Sequence, residues 1–354
     1  MRVLLAPVET AGVASATRDG LRRRGHEATL EVLDRHPFGW PADRTIGRAP
    51  ARRAVAGLRA PFDYDVLHFQ FGSTLCAFAD AAWARAMRRP VVLMHYWGSD
   101  CRTRRVAERL FPARARLFGA SDGAHDRTIG RRLRIASRTC AAALVSDLEL
   151  AAYVKPHFRT VYVIPTPIAL PALAEPAADP GEGPIVLHAP SNAAIKGTRE
   201  IVAAVESLGR RRPLRLRTVS GVPRERVLEE IARADVVVDQ LNSETSGVFA
   251  LEAMALGKPV LCEYDGRWLA PFARATPLIG VDASTLEERL EQLCDDPALR
   301  ERRGEAGREF VRTVHDSDHV ASLLELVYSD ARKPSRGLIE VTADGLRPLR
   351  WPAH

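Results

Sequence analysis

A chain of 354 residues is long for one domain and comfortable for two. With 46% apolar and 27% charged residues it has a globular composition, which excludes a disordered or fibrous chain. The formal net charge of +7 attracts polyanions, but no long polybasic arm and no nucleic-acid motif is present, so nucleic acid is not an expected partner.

The opening MRVLLAPVET reads as a first strand, because its apolar run is too short for a signal peptide. Further short apolar, β-branched runs follow the first one (3–6) at 28–32, 66–69, 91–94, 142–145 and 161–164. A second series lies at 185–188, 214–219, 236–239, 260–263 and 278–281. Continuous apolar strands alternating with helical stretches predict parallel sheets covered on both faces, and two such series predict two doubly wound α/β domains. The stretch PIALPALAEPAADPGEGP between the series is dense in Pro, Ala and Gly without helix or strand period. The expected organisation is therefore a domain over 1–168, a linker over 169–183 and a second domain over 184–315. A terminal helix over 316–330 is expected to pack back on the first domain, and 331–354 to form a loosely ordered tail.

Five cysteines (Cys76, Cys101, Cys140, Cys262, Cys294) form an odd, widely spaced set without a CxxC pattern, pointing to reduced thiols in a cytoplasmic protein. No run approaches the ~20 apolar residues of a membrane span. The basic stretch RTRRVAERLFPARARLF, 102–118, could rest on an anionic membrane at the inner face, although an ordinary exposed helix is the favoured reading.

The most informative segment is ADVVVDQLNSETSGVFALEAMALGKPVLC, 234–262. A strand runs into a polar loop, then a helix beginning near Gly247, then another strand. Ligands of open α/β sheets bind at the carboxyl ends of strands, so this loop delivers Glu244 and the helix N-terminus to a binding crevice. Helix N-termini offer N–H donors to a diphosphate, Gly247 permits close approach, and Glu252 lies inside the helix.

The run Glu244-Thr-Ser-Gly247-Val-Phe-Ala-Leu-Glu252-Ala-Met-Ala-Leu-Gly-Lys-Pro-Val260 resembles the signature of retaining glycosyltransferases of family 4, which have the GT-B fold. The resemblance implies two Rossmann-like domains facing a central cleft. It places Glu244 on the donor sugar, Glu252 on the ribose hydroxyls, and the amides of Val248 and Phe249 near the phosphates. In the loop HAPSNAAIKGT, Lys196 before Gly197 matches the family's phosphate-neutralising lysine, whereas Ser191 stands where relatives carry an arginine. Ser191, Asn192 and Gly197 complete the expected donor-binding set, and Gly221 lies in the stretch expected to face the base.

In the first domain, Arg24-Gly25-His26-Glu27 and Asp65-Val-Leu-His68 are similar to family strands, while the glycine-rich loop is reduced to Gly12. In PVVLMHYWGSDCR, His95 is the candidate for the histidine that lies by the reacting sugar, with Asp100 and Arg102 either lining the cleft or capping the next helix. The Asp-x-Asp triplets at 63–65 and 316–318 sit at the wrong ends of their elements for a phosphate site, so neither a metal nor a cofactor is expected. Charge on the departing diphosphate falls instead to Lys196 and helix N-termini. The implied function is retaining, metal-independent transfer of a sugar from a nucleotide-sugar donor to an unknown hydroxyl or amine acceptor in glycan, glycolipid or natural-product biosynthesis. The alternatives are a GT-B nucleotide-sugar epimerase or hydrolase, and a catalytically silent partner subunit.

Overall fold

The structure, a computed structural model, describes residues 1–118, 123–171 and 181–352. The chain divides into two compact units. One comprises Met1–Pro167, Arg267–Phe272 and Ser317–His354; the other comprises Ile168–Gly266 and Ala273–Asp316.

Chain order begins with β1 (Arg2–Ala6), β2 (Glu27–Val32), β3 (Arg44–Thr45), β4 (Val66–Gln70), β5 (Val91–His95), β6 (Ala142–Val145) and β7 (Thr160–Val163) in the first unit. It continues through β8 (Ile185–His188), β9 (Arg215–Thr218), β10 (Val236–Val238), β11 (Val260–Cys262) and β12 (Ile279–Gly280) in the second. It then returns to the first with β13 (Gly337–Thr342) and β14 (Gly345–Pro348). Every predicted strand is present, within a residue or so of its expected bounds.

The first unit's sheet has the order β14-β13-β7-β6-β5-β4-β1-β2-β3, parallel except for the antiparallel β13–β14 pair. Alternation along β1 sends Leu4 and Ala6 to one face and Val3 and Leu5 to the other, so both faces are apolar and both are covered. Helix Ser317–Asp330 lays Val320, Leu324 and Val327 on the second face beside Leu21 of helix Val13–Arg23. Arg24 clamps this packing with a bidentate pair to Glu325 at 2.8 and 2.9 Å, and His26 adds a third contact at 2.8 Å.

The second unit's sheet is wholly parallel, in the order β12-β11-β10-β8-β9. The chain winds outward from β8 to β9 and then returns to β10 on the opposite side. The loops after β8 and β10 therefore part at a topological switch point, where open α/β sheets hold ligands.

Three expectations need correction. The tail expected to be loosely ordered instead forms β13 and β14: β13 pairs with β7 and turns at Gly345, whose φ of 125° suits glycine. The second unit is not continuous either, because Arg267–Phe272 belongs to the first, where Trp268 packs edge-on to Phe111 at 4.7 Å. The basic stretch 102–118 is not one helix but two, Arg104–Leu110 and Pro112–Ala115, broken at buried Phe111 ahead of Pro112. Arg102 and Arg114 turn inward onto buried Glu149. Much of the expected linker, residues 172–180, lies outside the described residues. Among the described residues no helix is long and apolar enough to cross a membrane.

Candidate functional site

The second unit gathers its polar side chains at the carboxyl ends of β8, β9 and β10. After β8, Asn192 caps the short helix Ala193–Lys196 by accepting from the Ile195 amide at 3.1 Å, and Gly197 turns the chain at φ 67°. A side chain at Gly197 would meet Leu241 Cβ at 2.8 Å, so the loops after β8 and β10 approach closely only because this residue is glycine. The Leu241 amide donates to the Lys196 carbonyl at 3.1 Å and ties the two loops together. Buried His188 adds a second tie. Burial lowers its pKa, so the ring is neutral; Nδ1–H donates to the Val238 carbonyl at 3.0 Å and Nε2 accepts from Thr198 Oγ1 at 2.9 Å.

These ties bring Lys196 to Asp239, the residue that follows β10. Nζ donates to Oδ1 at 2.7 Å, and the carboxylate is fully buried. Asp239 Oδ2 accepts the amide of Gly247 at 3.0 Å, and Gly247 is the cap of helix Val248–Ala255. One carboxylate thus holds an ammonium and a helix N-terminus together. A Cβ at Gly247 would lie 3.3 Å from Lys196 Nζ, so bare backbone is what leaves room for the amine. Lys196 has three N–H donors and spends one here. Gly247 has no side chain with which to cap the helix, so the amides of Val248 and Phe249 are those that a helix leaves without intrahelical acceptors. The arrangement offers the remaining Lys196 N–H groups and the first helix amides as donors to an anion at this helix end.

The two signature glutamates have different surroundings. Glu252 is buried one turn into the helix and accepts from Arg224 Nε at 2.7 Å. Burial raises its pKa and the Arg224 guanidinium opposes that rise. Arg224 arrives from the turn after β9, where Gly221 has φ 69°. Glu244 is buried in the loop 240–246, which is held by Gln240 Nε2 and Ser243 Oγ donating to the Thr245 carbonyl at 2.6 and 2.8 Å, and by the Asp265 amide on the Glu244 carbonyl. Ser191 is exposed, and the Asn192 side chain is engaged as a helix cap.

In the first unit, Gly12 (φ 81°) precedes helix Val13–Arg23, and a Cβ there would overlap the Trp40 ring at 2.0 Å. Beside it Glu9 is buried: Oε2 accepts the Ser15 amide at 2.8 Å, while Oε1 and the Thr10 hydroxyl have no partner among the described residues. His95, at the carboxyl end of β5, is also buried and stacks on Trp97 with ring centres 3.9 Å apart. It ends a chain of rings. The buried Tyr328 hydroxyl is hydrogen-bonded to His68 Nδ1 at 2.8 Å, and His68 Nε2 to His95 Nδ1 at 3.3 Å. Burial lowers the pKa of His68 to about 3 and that of His95 well below its ordinary value. His95 is therefore neutral, and its buried Nε2 has no partner among the described residues.

Residues 212–310, which contain Arg224, Asp239 and both glutamates, match the family described as "Glycosyl transferases group 1". The whole chain is similar to a sucrose-phosphate synthase from Thermosynechococcus elongatus, with TM-score 0.65 and 18% identity, covering 94% of this chain and 99% of that one. It is similar to an alpha-glucosyltransferase solved with UDP and a 13-mer DNA, with TM-score 0.62 and 14% identity over 93% and 99% of the two chains. A third likeness is to AviGT4, a glycosyltransferase involved in avilamycin A biosynthesis, with TM-score 0.54 and 16% identity over 95% and 99%. The chain has the GT-B fold of these glycosyltransferases, and residues 212–310 carry a sequence similar to the family. No curated protein matches it by sequence.

Two of the candidates in the first unit are tied into its scaffold. Arg102 makes a bidentate pair with buried Glu149 at 2.6 and 2.8 Å. Asp100 accepts the amides of Trp97 and Gly98 on Oδ1, at 3.1 and 2.7 Å, closing the turn after β5. Burial raises the Asp100 pKa to about 6, against an ordinary 3.8. A raised carboxyl pKa contributes stability that is complete below the unfolded value and lost as pH rises through the folded one. The stability of wild type relative to D100N, which stays neutral, is expected to fall by on the order of 2–3 kcal/mol between pH 4 and pH 8. Denaturant melts at the two pH values measure this; a constant difference contradicts it.

Three buried or paired residues of these loops were not singled out in the sequence: Asp239, Arg224 and Glu9. Asp239 has a readable signal, being the acid that ends the apolar run VVVD. Arg224 and Glu9 have none, because each gains its place from a partner distant in sequence or from a turn.

Proposed function

We propose that the protein is a glycosyltransferase that takes its sugar from a nucleotide-diphosphate donor, transfers it with retention to a hydroxyl or amine acceptor, and needs no metal. The observation that carries the reading is the Lys196–Asp239–Gly247 clamp at the switch point. Departure of a diphosphate places new negative charge where Lys196 and the first amides of helix Val248–Ala255 supply fixed donors, so no solvent has to reorganise as the bond breaks. The neighbour solved with UDP supports a nucleotide diphosphate as ligand. In this reading Glu252, oriented by Arg224, accepts from the ribose hydroxyls and Glu244 from the sugar. His95 offers its Nε2 to a substrate hydroxyl. Ser191 supplies no charge, so Lys196 and the helix carry the phosphates, and the acceptor proton passes to the leaving phosphate oxygen.

The test is nucleoside diphosphate release from a panel of nucleotide sugars, with and without candidate acceptor hydroxyls and with excess chelator. Release that depends on acceptor and is unchanged by chelator is expected. Release indifferent to acceptor would make the protein a hydrolase, no release from any donor a silent subunit, and abolition by chelator would remove metal independence.

A further inference from the structure

At the amino-terminal ends of β5 and β7 the first unit holds an open cavity of about 1160 Å³, a strand length from His95 at the other end of β5. Arg85, Arg88 and Arg89 line it from the end of helix Ala79–Met87, Arg138 from the end of helix Gly123–Thr139, and Arg159 from the approach to β7. Arg332 and Arg336 line it from the segment before β13. The lining contains seven arginines and His157 but no Asp or Glu, and among the described residues none of the seven arginines forms an ion pair.

An arginine-rich chain is bound to have arginines somewhere, but two other arginine clusters of the described residues are paired with carboxylates. Arg211 and Arg212 share Glu287, Glu291 and Asp295, and Arg217, Arg226 and Arg233 surround Glu230. Helix C-termini do favour cations, and four helices end near this cavity. At roughly half a charge each they offset about two of the seven positive charges and leave about five without a counter-charge. Such a concentration is unfavourable unless an anion occupies it.

We propose that this cavity is a binding site for a small anion bearing several phosphate groups. Guanidinium forks match phosphate oxygens bidentately, and several around one concavity select for multiple phosphates over a single one. The volume suits a ligand of nucleotide size. The one aromatic ring besides His157, that of Phe158, is buried, so the lining lacks stacking platforms for the bases of a nucleic acid. It also lacks the exposed apolar side chains that would enter a lipid surface.

The test is calorimetric titration of the full-length protein with inorganic tripolyphosphate at about 0.1 M salt, where surface electrostatics are still felt. Wild type is expected to bind at this site, to weaken as salt rises, and to bind monophosphate far more weakly. The triple variant R88S/R138S/R159S, and separately R85S/R332S/R336S, should each bind at least about tenfold more weakly. Because the seven side chains are exposed, melting temperatures of both variants should match wild type. K196A, altered in the other unit, should retain this binding, which separates the result from that of the proposed donor site. Wild-type binding of tripolyphosphate no tighter than that of monophosphate, or binding by both triple variants as tight as by wild type, would overturn the proposal. So would arginine-dependent binding to phosphatidylglycerol vesicles or duplex DNA without binding to tripolyphosphate.

Discussion

Replacing Lys196 by alanine is expected to lower kcat for sugar transfer by roughly two to three orders of magnitude, the cost of removing one positioned donor from a developing oxyanion. The loss should appear mainly in kcat, because the amine matters most when charge has moved onto the diphosphate. D239N keeps the shape of the site but removes the charge that holds both Nζ at 2.7 Å and the Gly247 amide at 3.0 Å. It should fall within about tenfold of K196A, and K196A/D239N should lose little more than either single change, since the two side chains act as one unit. Steady-state kinetics with a thermal melt as folding control measures this. Additive losses would mean that Lys196 and Asp239 act independently.

G20A is expected to destabilise the protein by about 2–3 kcal/mol and to lower its melting temperature by roughly 5–10 °C. Gly20 sits inside helix Val13–Arg23, where a Cβ would come 2.2 Å from the Ser317 carbonyl oxygen and 3.2 Å from Ala321 Cβ. The atom met first is backbone, so no rotamer change relieves it, and the two helices must separate. Helix propensity alone would favour alanine by about 1 kcal/mol, so the expected sign comes wholly from packing. G209A is the control, since nothing lies within 4 Å of a Cβ at that helix end; it should stay within about 0.5 kcal/mol of wild type. Equal melts for the two variants would show that the helices do not pack as described.

The sheets were legible because parallel strands buried on both faces read as unbroken apolar runs, and β8 and β10 announced themselves in this way. Strand β13 was not legible. Pro334 and Pro348 at the hairpin's flanks suggested a tail, although Asp344-Gly345 between IEVT and LRP is a hairpin signal that reads correctly once β7 is known to need a partner. The return of Arg267–Phe272 to the first unit has no local signature, since a short apolar run does not state which core it joins. The positions of Lys196 and Glu244 in loops at strand ends, and of Glu252 inside the helix that follows, were legible. The Arg224–Glu252 pair was not, because it depends on β9 lying beside β8, a pairing fixed by topology rather than by neighbours in sequence. Asp100 and Arg102 show the reverse: a motif pointed to a site, and burial committed both side chains to the scaffold.

A crystal structure of the protein with a nucleoside diphosphate tests the central claim most directly. The β-phosphate is expected within hydrogen-bond reach, about 3 Å, of Lys196 Nζ and of the Val248 amide, with the ribose at Glu252. A diphosphate seated away from the carboxyl ends of β8 and β10, with the Lys196–Asp239 pair untouched, would contradict it.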